Sequence, residues 1–173
     1  LKTELDRREI EKAFFLSRDG EVILKVYRQL YPDDRRITYL MTSRYLVEND
    51  ACDTAYSAYL MQQGFAGRCA VVDVGRCGTI QRALQRLMPT ANVEGFYVDL
   101  RVHDSCMHGL FENVPARFRR ALDVLDFLFI SPSNQVVAIT NESGVPGFEY
   151  LPMDADESCR HEIARWLQSG AVA

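Results

Sequence analysis

The chain has 173 residues, enough for one well-packed core with an appendage and too few for two independent domains of ordinary size. Its 20 basic and 24 acidic residues leave a formal charge of -4, and no stripe of lysine and arginine interleaved with aromatics appears, which argues against nucleic acid as a partner. No apolar run approaches the roughly 20 residues of a membrane-spanning helix and no secretory leader opens the sequence, so a cytoplasmic protein without a membrane span is expected. In chain order, Leu1, Leu5 and Ile10 fall near one face of a charged surface helix within residues 1–12. Residues 13–16 read as a short apolar strand that runs into Ser17-Arg18-Asp19-Gly20. Val22, Ile23, Val26, Tyr27 and Leu30 then recur at helical spacing until Pro32. Residues 37–42 form a third apolar segment, which ends in Ser43-Arg44 before Glu48-Asn49-Asp50 breaks the pattern. A helix is predicted over 54–63, with Tyr56, Tyr59 and Leu60 inward and Gly64 at its C-terminal cap.

The stretch from Cys69 to Leu84 organises the chain. Small and β-branched apolar residues make a strand buried on both faces, Asp73 stands at its end, and a turn bracketed by Gly75 and Gly78 leads into an amphipathic helix from Thr79. In that helix Ile80, Ala83, Leu84 and Leu87 are predicted to face the sheet and Gln81, Arg82, Gln85 and Arg86 the solvent, with Pro89 ending it. Residues 93–100 supply the next strand and complete a crossover unit of about thirty residues. Beyond Arg101 the pattern predicts a polar loop over 103–109, a helix over about 115–129, a hairpin around 141–144 and a last helix over about 156–168. That helix would hold Ile163, Trp166 and Leu167 inward and His161 on its surface. His103 and His108 lack a third ligand of matching spacing and do not make a metal site. The alternation of strand and helix to residue 101 predicts an α/β, Rossmann-like, three-layer, mostly parallel sheet, with residues 102–173 as a helix, hairpin and helix appendage.

Five cysteines, Cys52, Cys69, Cys77, Cys106 and Cys159, are odd in number, scattered and without a C-x-x-C pair, which fits reduced thiols. Cys77 reads either as a small packing residue or as a thiolate at a helix N-terminus. Three strand ends carry the candidate chemistry: Ser17 to Gly20, Thr42 to Arg44, and Asp73 to Thr79. In open α/β sheets ligands bind beyond the carboxyl ends of the strands, and these segments offer hydroxyls, guanidiniums, helix-start N–H groups and carboxylates, the set that holds a phosphate and a divalent metal. An acid at a strand end is equally common as a plain turn or cap residue. No G-x-S-x-G elbow, P-loop or G-x-G-x-x-G is present.

The runs Phe14-Phe15-Leu16-Ser17-Arg18-Asp19-Gly20, Tyr39-Leu40-Met41-Thr42-Ser43-Arg44, Tyr59-Leu60-Met61-Gln62-Gln63-Gly64-Phe65 and Val71-Val72-Asp73-Val74-Gly75-Arg76-Cys77-Gly78-Thr79-Ile80-Gln81 are found here in that order, as is Leu125-Asp126-Phe127-Leu128-Phe129-Ile130-Ser131-Pro132. In this the chain resembles the predicted hydrolases of the haloacid dehalogenase (HAD) superfamily that occur with glycosyltransferases in bacterial surface-polysaccharide clusters. The resemblance implies a HAD-like core, a Mg2+-dependent phosphohydrolase acting on a phosphorylated small molecule or sugar, and a glycosyltransferase domain as a partner. It implies Ser17 as the hydroxyl on the phosphoryl oxygen, Arg44 as the basic residue that neutralises it, and Asp73 as the metal acid. Arg18, Asp19, Gly20, Gly75, Gly78 and Thr79 would surround the phosphate. Such enzymes attack with an aspartate of a D-x-D motif after their first strand. None precedes Ser17, so that motif is expected upstream of Leu1, and the usual second metal acid is absent between Gly75 and Thr79. The family's helical insert after Ser43-Arg44 is reduced to about a dozen residues here. A non-catalytic HAD-like binding or scaffolding module is the alternative that these departures leave.

Overall fold

The computed structural model describes residues 1–112, 114–118, 128–131, 133–142 and 144–171. Its centre is a sheet of five parallel strands, β1 (Lys12–Leu16), β2 (Ile37–Leu40), β3 (Arg68–Asp73), β4 (Asn92–Leu100) and β5 (Met107–Glu112), in the order β2-β1-β3-β4-β5. The described residues include the helices α1 (Lys2–Arg7), α2 (Gly20–Leu30), α3 (Arg44–Val47), α4 (Asp53–Gln62), α5 (Thr79–Leu87) and α6 (Ala155–Ala171). Strands β6 (Val136–Glu142) and β7 (Val145–Tyr150) pair antiparallel as a separate two-stranded sheet.

Side chains alternate across a strand, and β1 and β3 use both faces. Phe14, Leu16 and Val71 point to one side, where Tyr59 and Leu60 of α4, Leu84 of α5 and Val136 and Ile139 of β6 cover them. Ala13, Phe15, Ala70 and Val72 point to the other, where Leu5, Leu24 and Tyr27 close a second core. The sheet is thus flanked by helices on both faces. Each fully buried Phe or Leu contributes about 1.5–3 kcal/mol relative to its exposed state, so these two cores are the main stabilising term.

The strand order places a functional crevice. Leaving β1 the chain turns through α2 to β2 on one side; leaving β2 it crosses through α3 and α4 to β3 on the other side of β1. Helices after β1 and β3 therefore depart to opposite faces, and their N-termini open a gap at the carboxyl end of the sheet. Because β1 and β3 hydrogen-bond directly, with Lys12 to Phe15 opposite Cys69 to Val72, no further strand separates the two turns.

Several expectations are corrected. The loop expected over 103–109 ends early, because Met107–Glu112 form a fifth parallel strand. A parallel pair normally needs a crossover of about a dozen residues or more. Here residues 101–106 suffice, because Asp104 Oδ1 accepts from the Cys106 N–H (3.2 Å), Met107 N–H bonds Asp104 O (3.1 Å) and Gly95 N–H bonds Cys106 O (2.8 Å), turning the chain back at once. The edge position of β5 leaves Leu110 exposed, which hides the strand's periodicity, and His108 pairs with Glu94 (2.6 Å). Residues 44–52 form α3 and a 3-10 turn where a break in pattern was expected. Gln81, expected on the solvent face of α5, is buried. In α6 the faces are reversed: His161 and Ala164 are buried while Ile163 and Trp166 are exposed. The helix lays its polar positions inward because polar groups await them, Arg18 for Glu157 and the carbonyls of Leu128 and Ile130 for Gln168. Of the helix expected over 115–129, residues 119–127 lie outside the described residues, as does Ser143 of the expected hairpin turn; Ala116–Phe118 form a 3-10 turn.

Candidate anion-binding cleft

All three strand-end segments meet. Ser17 to Asp19, Thr42 to Arg44 and Asp73 to Thr79 line one cleft of about 630 Å³ at the carboxyl end of the sheet. Gly20 begins α2 just behind it, and a Cβ there would lie 3.1 Å from both Phe15 C and Val72 O, so the turn passes close over the β1–β3 junction.

Ser17 is committed to the scaffold. Its hydroxyl donates to Thr42 O (2.6 Å) and accepts from Thr42 N–H (2.8 Å), while its own N–H bonds Leu40 O (2.9 Å). These bonds extend the β1–β2 pairing by side chain where the strands end. Ser43 likewise donates to Val136 O and accepts from Leu46 N–H (3.1 Å), which caps α3 and ties it to β6. Both serines spend their single proton on a backbone carbonyl, so neither offers one to a ligand. The Thr42 hydroxyl is buried without a hydrogen-bond partner among the described residues.

Three guanidiniums differ in their engagement. Arg18 is paired with Glu157 of α6. Arg76 stands 3.8 Å from the buried Asp99 carboxylate, which Arg101 also holds at 2.7 Å. Arg44 is exposed on the cleft wall, because Leu46 and Val47 bury the opposite side of α3, and it has no carboxylate partner among the described residues. Tyr45 and Glu48 stand beside it and were not singled out by sequence; nothing in their local pattern marks them.

At the far side, Asp73 caps its own turn, with Oδ1 accepting from Val74 N–H (2.8 Å). Gly75 (φ 49°) and Gly78 (φ 63°) take the left-handed conformation that lets the chain double back before Thr79 opens α5. The first-turn N–H groups of a helix have no intrahelical acceptor and carry the positive end of its dipole, so α2 and α5 both point this end at the cleft. Cys77 is exposed on the cleft wall rather than packed. Tyr97 of β4, opposite Asp73 in register, forms the floor; burial, and then the Asp73 charge, push its phenol well above the ordinary range, so it stays a proton donor.

Neither a family model nor a curated protein matches this chain.

Among the described residues no group of three or more His, Cys, Asp or Glu side chains converges, so there is no dedicated cage. Magnesium is ordinarily held by one or two carboxylates, waters and the ligand's own phosphate oxygens. Asp73 at the cleft fits that role, as a protein ligand to an ion that arrives with a phosphate.

Proposed function

We propose that this chain binds the phosphoryl group of a phosphorylated small molecule, a sugar phosphate being the class suggested by its resemblance to the HAD superfamily, at the β1–β3 switch point. The carrying observation is the convergence of three turns, far apart in sequence, on one cleft faced by two helix N-termini and by Arg44, which has no carboxylate partner among the described residues. Arg44 supplies a fork of donors to phosphoryl oxygens, the Gly75 to Thr79 turn supplies backbone N–H groups, and Asp73 is the residue that would hold Mg2+. The ion would neutralise phosphoryl charge. Binding rather than hydrolysis by this chain alone is favoured by the two serines, whose protons are already given to carbonyls. Hydrolysis of the HAD type would use an aspartate nucleophile from a D-x-D motif, and a glycosyltransferase domain would be the natural companion in polysaccharide assembly.

Titration with inorganic phosphate and a panel of sugar phosphates, with and without Mg2+, tests this. Losing one charge-assisted hydrogen bond is worth about 1.5–3 kcal/mol, so Arg44→Ala should weaken phosphate binding about 10–100-fold. Arg18→Ala should have a smaller effect, because Glu157 already neutralises that guanidinium. Asp73→Asn should abolish any enhancement by Mg2+. Equal affinity of wild type and Arg44→Ala would refute the placement of the phosphoryl group.

A further inference from the structure

Behind the Gly75 to Thr79 turn lies a buried polar cluster that the phosphoryl-binding reading does not use. Gln81, in the first turn of α5, is 2% exposed. Its amide donates to Val93 O of β4 (2.9 Å) and to Cys106 O at the start of β5 (3.1 Å), and its Oε1 accepts from the Tyr97 hydroxyl (2.7 Å). The Tyr97 ring in turn fills the space behind the turn: a Cβ on Gly75 would lie 2.2 Å from Tyr97 Cδ1, and one on Gly78 would lie 2.4 Å from Met107 Cε and 3.4 Å from the Tyr97 hydroxyl. A third glycine completes the arrangement. Gly95 of β4 leaves room for Gln81, whose Oε1 is 2.0 Å from where a Cβ would stand.

We infer that Tyr97 and Gln81 are positioning residues that hold the Gly75 to Thr79 turn and the N-terminus of α5 in the shape that receives a phosphoryl group. The inference rests on the phosphoryl-binding reading. Buried side-chain amides with both ends satisfied have one orientation, and this one joins β4, β5 and α5 through a single side chain, so the helix start cannot shift without breaking three hydrogen bonds. The Tyr97 ring supports the turn from its inner side, where neither glycine can supply a side chain. The N–H groups aimed at the cleft are thereby fixed before a ligand arrives, which lowers the ordering that binding requires.

The test is inorganic phosphate titrated into the full chain, followed by the amide shifts of Gly75, Gly78 and Thr79. Tyr97→Phe keeps the ring and removes only the hydroxyl bond. It should weaken phosphate about fivefold, the size expected for one hydrogen bond's worth of lost positioning. Gly95→Ala, whose methyl would stand 2.0 Å from Gln81 Oε1 and 2.5 Å from Tyr97 Cε2, should weaken it at least as much by displacing both members of the cluster. Leu24→Val, in the core on the opposite face of the sheet, should lower stability and leave the affinity within about twofold, because a stability effect that spares the turn does not reach the cleft. If Tyr97→Phe binds phosphate as the wild type does, the positioning role is overturned while the phosphoryl reading stands. If the wild type binds no phosphate, the phosphoryl reading fails first and this role falls with it.

Discussion

Gly75→Ala should unfold far more readily than the wild type. The residue sits at φ 49°, which an L-residue adopts at a penalty of about 1–2 kcal/mol, and its new methyl would stand 2.2 Å from the Tyr97 ring. Overpacking of that kind adds about 1–3 kcal/mol, because Tyr97 is tied through its hydroxyl to Gln81 and has no free direction in which to retreat. A combined loss of about 2–5 kcal/mol in a chain of this size corresponds to a fall of roughly 4–20 °C in Tm. Gly144→Ala is the internal control. It shares the positive φ, at 81°, but a Cβ there meets nothing within 4 Å among the described residues, so only the backbone penalty remains and the loss should be about half as large or less. Calorimetry of the two variants separates conformation from packing, and equal losses would mean that the contact with Tyr97 is relieved elsewhere.

The same residues mark where sequence reading succeeds and where it stops. Phe14, Val71 and their neighbours are apolar runs bounded by polar turns, and that signal located β1 to β4, α2, α4 and α5 because it reports burial on both faces of a parallel sheet. The three strand-end segments were legible as candidates for the same reason: the ends of buried strands are where polar residues resume. What no local pattern could show is which polar residue turns inward. Gln81 lies at a position where α5 could face either way, and it is buried because Gly95, fourteen residues later, leaves a vacancy of its size across the sheet. Ser17 looks like a free hydroxyl in sequence, yet its proton goes to Thr42, a partner supplied by the parallel pairing of β1 with β2. β5 was missed because an edge strand with one exposed face and a six-residue connection carries neither the run nor the spacing of the inner strands. Pairings set by tertiary structure decide the chemistry of a side chain, and the residue type alone sets only its range.

Acid should destabilise the attachment of α6, and His161 is the residue that makes it so. Its ring is 2% exposed, Nδ1 has no hydrogen-bond partner among the described residues, and Nε2 stands 3.9 Å from the Glu157 carboxylate, too far for a hydrogen bond. Burial first, and then the positive charge of Arg18, hold its pKa below the ordinary 6.5; Glu157 opposes them more weakly, and Arg165 adds a smaller lowering. In the unfolded chain His161 takes up a proton near pH 6.5, whereas in the folded protein it resists until lower pH. The unfolded state therefore binds more protons in that interval. Stability is complete above about pH 6.5 and declines as the pH falls from there toward the folded-state value. His161→Leu removes both the titration and the unsatisfied nitrogen. A buried polar atom without a partner costs about 1–3 kcal/mol, so this variant should be at least as stable as the wild type at pH 7.5 and clearly more stable at pH 5.5. Urea unfolding at the two pH values reads the difference directly. A wild type and variant with parallel pH dependence would place the acid sensitivity on another group, while a variant less stable at both would mean that His161 makes a contact worth more than its orphaned nitrogen loses. Glu157→Gln removes a carboxylate that favours the protonated ring and leaves the Arg18 charge without its Glu157 partner. The decline with acid should then begin at the same pH but continue further, and phosphate should bind more tightly, since Arg18 would join Arg44 in the cleft.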